Sequence, residues 1–178
     1  MRAFQEGYPG ITIFLTFGYS LPWVESSSGK TSLSEIDYGL LVPFLDGMVE
    51  AARGRTRIVD GCELAYGYKS AGQFAALRTM MTNGVLPIVR DPRKYREVFS
   101  CAFGLWLDND WRKHGWDTKD FAKNYFTPET FEQSVHAALQ ATDQYVWIYS
   151  EVPRWWTPAG GPTNLPAAYE QAVSRARR

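Results

Sequence analysis

From Val98 to Asp108 the chain alternates without a break. Phe99, Cys101, Phe103, Leu105 and Leu107 fall on one face, and Ser100, Ala102, Gly104, Trp106 and Asp108 on the other. A period of two belongs to a strand. The face of large apolar residues has to lie beneath a covering layer of helices. The second face is small until it reaches Trp106 and Asp108, which suits the crowded interior of a parallel barrel opening towards the carboxyl ends of its strands.

Three further segments read as strands. Ile11–Phe17 is β-branched and aromatic between two glycines, Arg57–Tyr66 has strand content and length, and Tyr145–Glu151 alternates Val146 and Ile148 with Trp147, Tyr149 and Glu151. Helical periodicity separates them. Leu41, Phe44, Leu45, Met48 and Ala52 form a stripe ahead of Gly54, and Ser70 with Gln73 makes a capping box before Phe74, Leu77 and Met81. Asp91-Pro92 can open one short helical turn, Thr127 caps a helix beginning at Pro128, and Leu165–Arg178 carries the last stripe. Leu21–Ser34 reads as a loop.

Strand and helix thus repeat four times, a pattern that calls for a parallel sheet with right-handed crossovers. The expectation is one α/β domain over residues 1–178, made of four β/α units and equal to half of a TIM barrel. A free half barrel exposes two edge strands and its inner face, so completion by a homodimer is expected. The alternatives are the second half of a longer parent chain, or four strands that close differently.

Lysine plus arginine equal aspartate plus glutamate at 19 each, so no net field favours nucleic acid or an anionic membrane as a partner. No stretch has the length and apolarity of a membrane span, and the N-terminal residues lack the apolar core of a signal peptide, so a soluble chain is expected. Cys62 and Cys101 lie inside expected strands and read as small buried hydrophobes. The GKT at 29–31 lacks the upstream glycine of a phosphate loop. His114 and His136 form no ligand cluster, no GxSxG elbow occurs, and neither cofactor nor metal is expected, although Asp108, Asp110 and Glu63 together are oxygen donors of the kind that hold Ca²⁺ or Mg²⁺.

The 7 Trp, 10 Tyr and 10 Phe are a heavy aromatic load, and several follow the expected strands. Planar rings on a polar surface suit the apolar faces of sugars, and equally a subunit interface. Strand parity places Glu63, Asp108 and Glu151 on the inner face at the carboxyl ends of three consecutive strands, with Asp60 turned to the helix layer. Paired carboxylates hydrolyse glycosidic bonds when about 5 Å apart with retention, or roughly 6.5–9.5 Å apart with inversion. Adjacent strands stand about 4.8 Å apart, so Glu63 and Asp108 suit retention and Glu63 with Glu151 lies nearer inversion. Glu63 is the candidate general acid/base and Asp108 or Glu151 its ionised partner. Trp106, Trp111, Trp116, Trp155, Trp156 and Tyr149 are the candidate sugar platforms. Arg112, Lys113 and Arg154 could instead pair with these acids in structural salt bridges.

The pieces GLWLDNDW, YVWIYSE and PRWW resemble the C-terminal half of large bacterial (β/α)8 proteins of the glycoside hydrolase type, over roughly residues 57–178. The resemblance implies a carbohydrate-active hydrolase acting on β-linked polysaccharide or oligosaccharide. In the large barrel clan a glutamate pair on the fourth and seventh strands does the work. For a chain supplying strands five to eight, the seventh-strand position is Asp108, an aspartate where the clan has glutamate, and the fourth-strand partner is absent. The alternative is a non-catalytic carbohydrate-binding or assembly domain, a half barrel without a complete active site.

Overall fold

The computed structural model describes residues 1–109, 115–156 and 164–178. The fold is mixed α/β with two small parallel sheets. The first has the order β1 (Thr12–Leu15), β2 (Arg57–Asp60), β3 (Phe99–Cys101), and the second pairs β4 (Phe103–Trp106) with β5 (Val146–Tyr149). Every pairing is parallel, as the alternation of strand and helix requires. No closed barrel forms among the described residues.

The expected third strand is present but broken at Ala102, and that break divides the sheets. Hydrogen bonds nevertheless run across it. The Ala102 amide donates to the Asp60 carbonyl at 2.9 Å, the Gly104 amide to Cys62 at 3.4 Å and the Leu107 amide to Tyr149 at 2.9 Å. One continuous segment therefore serves as the edge of both sheets, with β2 on one side and β5 on the other.

Register confirms the parity read from the sequence. Ile58 pairs with Phe99, Asp60 with Cys101, Phe103 with Val146 and Leu105 with Ile148, and these residues share one face. Helices cover that face. Val42, Leu45 and Val49 of α3 (Leu41–Ala51) join Ile58, Tyr95 and Val98 in one core. Phe74 and Leu77 of α4 (Ala71–Thr79), Phe131, Val135 and Ala138 of α6 (Pro128–Ala141), and Tyr169 and Ala176 of α7 (Ala167–Ala176) join Cys101, Phe103, Leu105 and Leu107 in the other. Each fully buried Leu or Phe side chain here contributes about 1.5–3 kcal/mol over an exposed one. Cys62 and Cys101 are buried and free, as small hydrophobes should be.

The helix caps follow the sequence signals. Ser70 and Gln73 form the reciprocal capping box, the Thr127 side chain accepts from the Thr130 amide, and Asp91 accepts from the Lys94 amide to open α5 (Pro92–Val98). Two short helices fall outside the expected pattern: α1 (Arg2–Gly7), and α2 (Ser20–Glu25) where a loop is expected, with Pro22 in its first turn. The largest departure concerns the second strand, which stops at Asp60 instead of running to Tyr66. Cys62 adopts a left-handed backbone at φ 30, which turns the chain out of the sheet into a short 3₁₀ turn at Glu63–Ala65. Among the described residues no helix is long and apolar enough to cross a membrane.

Candidate functional site

The face turned away from the helices carries Phe14, Val59, Ser100, Gly104, Trp106, Trp147 and Tyr149 by register. Phe14 of β1 meets Tyr145 and Trp147 of the β5 segment edge-on, with ring centroids 6.0 and 6.3 Å apart. β2 and the Phe99–Trp106 segment lie between them, and flat strands about 4.8 Å apart would hold these rings well beyond that reach. The surface is therefore concave. Its centre is Gly104, where a Cβ would stand 2.8 Å from the Trp147 ring and 2.9 Å from Tyr66. The absence of a side chain lets both rings lie close to the strand, and the Trp147 Nε1 donates to the Gly61 carbonyl at 2.7 Å.

Towards the carboxyl ends four rings form a cluster. Tyr66 stacks on Tyr149 with centroids 5.8 Å apart and planes at 21°, and it meets Trp106 at 5.9 Å and Trp147 at 5.6 Å. Trp106 lies 5.8 Å from Tyr149. Each tyrosine of the stack holds a carboxylate. The Glu63 carboxylate acts on the Tyr66 hydroxyl, and the Tyr149 hydroxyl donates to Glu151 Oε1 at 3.1 Å. Burial first, then the Glu63 bond and charge, push the Tyr66 hydroxyl well above its ordinary range. The Tyr149 hydroxyl is raised chiefly by its bond to Glu151, with the charges of Glu151, Asp108 and Glu63 adding to the effect. Both phenols consequently stay protonated and act as donors.

The three acids named from parity all raise the Tyr149 hydroxyl by their charge, but they arrive by different routes. Glu63 arrives from the 3₁₀ turn and not from a strand, so the alternation argument located it through a geometry that does not exist there. Glu151 lies in the exposed turn just after β5. Asp108 is only 6% exposed, and its carboxylate is occupied. Oδ1 accepts from the Trp106 indole at 3.1 Å and the Glu151 amide at 3.0 Å, and Oδ2 accepts from the Val152 amide at 2.8 Å. Asp108 fastens the turn that presents Glu151.

Beyond that turn a cavity of about 360 Å³ is lined by Tyr149, Glu151, Pro153, Arg154, Trp155 and Trp156, with Ile148 and Ser150. Trp156 is 78% exposed, while Trp155 packs against the core. Trp116 sits elsewhere, tilted on Tyr169 at 5.0 Å, and does not share the concave face. Trp111, with Asp110, Arg112, Lys113 and His114, lies outside the described residues. Arg154 makes no ion pair with an acid among the described residues. No trio of histidine, cysteine or acidic side chains is placed to hold a metal among the described residues.

Sequence reasoning passed over Tyr66 and Gly104 as site residues, and Trp147 as a ring of the cluster. The signal for the first was its place in an expected strand, and that strand ends early. A second cluster was also missed. Asp60 points to the helix side, as parity indicated, and accepts from the Ser20 hydroxyl at 2.9 Å and the Cys62 amide at 3.0 Å. Gly18 admits this carboxylate closely, since any Cβ there would collide with it.

Comparisons with protein-family models, with curated proteins and with solved structures returned no match. The class that fold and site define is accordingly a parallel α/β domain with an aromatic, acid-rimmed concave face.

Proposed function

We propose that this chain is a carbohydrate-active domain that hydrolyses glycosidic bonds in a β-linked polysaccharide or oligosaccharide. The observation that carries the reading is the Tyr66–Tyr149 stack with one glutamate near each tyrosine, beside Trp106 and Trp147. Rings at this density on an accessible concave face suit the C–H faces of sugars, and the hydroxyls of a sugar suit the carboxylates. In this reading Glu63, partly buried, protonates the leaving glycosidic oxygen. Glu151, exposed, stabilises the anomeric centre or activates water, which makes these two the working pair. Asp108 is a positioning residue, because its oxygens are engaged by the turn.

A half barrel completed by a second copy is part of the proposal. Parallel order, a shared central segment and the ring contacts from β1 to β5 across a concave face support it. A twofold axis along the strands would set β5 of one copy beside β1 of the next in the same sense, closing both edges. Solution mass tests it: a dimer is expected, and a strict monomer at all concentrations overturns the two-chain barrel.

Activity is tested by reducing-end release from β-linked oligosaccharides and by aryl glycoside cleavage. Glu63→Gln and Glu151→Gln are each expected to lower the rate about 100-fold or more, the usual scale for acid–base groups. Wild-type rates in both variants overturn the assignment. The engagement of Asp108 favours a second reading, a carbohydrate-binding domain without turnover. It is the correct one if oligosaccharide binds, Trp106→Ala weakens binding, and the unsubstituted chain cleaves nothing.

A further inference from the structure

The turn after β5 has a feature that a neutral sugar does not use. Two opposite charges, Glu151 and Arg154, line the same cavity and are not paired with each other. Glu151 is drawn to the Tyr149 hydroxyl instead. The backbone bearing the two charges is pinned on both sides. Asp108 takes the amides of Glu151 and Val152, the Arg154 amide donates to Asn164 Oδ1 at 2.7 Å, and Asn164 Nδ2 donates to the Val152 carbonyl at 2.9 Å. A fixed backbone that carries an exposed guanidinium with no acid partner among the described residues is prepared for an anion from outside. Trp155 and Trp156 flank it, and the Trp155 Nε1 is a buried donor without a partner among the described residues.

We propose that this cavity binds a carboxylate-bearing sugar, a uronic acid unit, with Arg154 on the carboxylate and Trp156 against the ring. The assignment rests on the carbohydrate reading above and names its substrate class. The charges also orient the ring. A carboxylate is repelled by Glu151 and attracted by Arg154, so the sugar's acid lies at the arginine end and its hydroxyls or anomeric carbon at the Glu151 end. Since the chain carries equal numbers of acidic and basic side chains, this selectivity is local and owes nothing to an overall field. A single guanidinium matches one carboxylate. A polysulfated sugar would bring further negative charge against Glu151.

The test uses the full chain and titrates three probes of equal length by tryptophan fluorescence and calorimetry: a uronic acid oligomer, its neutral hexose counterpart and a sulfated hexose oligomer. The uronic oligomer is expected to bind about 10-fold or more tightly than the neutral one, with a preference that falls as salt is raised. Arg154→Gln is expected to remove the preference of the uronic over the neutral oligomer, and Arg154→Lys to restore part of it. Neutral binding without a uronic preference, or a preference that survives Arg154→Gln, overturns this inference and leaves the carbohydrate reading standing. Tighter binding of the sulfated probe overturns the carboxylate assignment. Binding of none of the three overturns both.

Discussion

Asp60 makes the stability of this protein depend on pH in an unusual direction. It is 2% exposed, it makes no ion pair among the described residues, and its carboxylate accepts from the Ser20 hydroxyl and the Cys62 amide, with the Ser20 and Gly18 backbone also favouring its charged form. Burial pushes its carboxyl up to about 6 from an ordinary 3.8, against the opposing pull of those donors. The folded state therefore binds this proton more tightly than the unfolded chain. The contribution is fully present below the unfolded value of 3.8 and is lost as pH rises through about 6. The whole gap corresponds to ~3 kcal/mol, and the part lost between pH 5 and 7 to ~1 kcal/mol. Asp117 and Glu129, whose carboxyls are held low mainly by backbone hydrogen bonds, act with the opposite sign but only below the ordinary carboxylate range, so the window from pH 5 to 7 separates them from Asp60. Urea unfolding should give a midpoint about 0.5 M lower at pH 7 than at pH 5 in the unsubstituted protein, for a slope near 2 kcal/mol per molar. Asp60→Asn, which cannot ionise, should lose that difference whatever its absolute stability. Carbon-13 titration of the Asp60 carboxyl provides a check that needs no variant. Identical pH slopes in the two proteins, or a carboxyl that titrates in the ordinary range, would refute the reasoning.

Two further outcomes follow from the site. Gly104→Ala places a methyl group 2.8 Å from Trp147 and 2.9 Å from Tyr66, so both rings must move. The expected loss is about 1–3 kcal/mol with an altered near-ultraviolet circular dichroism spectrum, and an unchanged spectrum and melting temperature would contradict the packing described. Asp108→Asn sets an amide NH₂ against the donors of the Glu151–Val152 turn. It should cost about 1–3 kcal/mol and speed hydrogen exchange at those two amides, and unaltered exchange would show that the carboxylate does not hold the turn.

The layers of the fold were legible because burial imposes the periodicities. The strict alternation of Phe99–Leu107 placed the helix-covered face, and the stripes of α3, α4, α6 and α7 followed from three- and four-residue spacing. Caps with a chemical signature, at Ser70, Asp91 and Thr127, were equally readable. What failed was strand length. Arg57–Tyr66 has strand composition throughout, yet the left-handed turn at Cys62 ends it at Asp60, and a non-glycine residue in that conformation leaves no mark in a propensity argument. The division of the sheet at Ala102 was illegible for the same reason, since alternation continues through it.

The site shows a different limit. Parity can say that Asp108 and Glu151 share a face at neighbouring strand ends, but not which of them stays available to a ligand. That is decided by backbone donors. β5 ends at Tyr149, so the amides of Glu151 and Val152 have left the ladder and require acceptors. Asp108, at the end of the adjacent segment and nearly buried, is the acceptor within reach, and once it takes both amides its oxygens are spent on the turn. Glu151 is left with its side chain outward, held by a single phenol. The two acids are therefore parts of one device, the first fixing the backbone from which the second projects. Arg154 and Trp156 project from the same fixed backbone, so disturbing Asp108 disturbs the acid, the cation and the exposed ring together. An acid at a strand end is better read first as a candidate acceptor for the turn beside it, and as a ligand group only when that demand is met elsewhere.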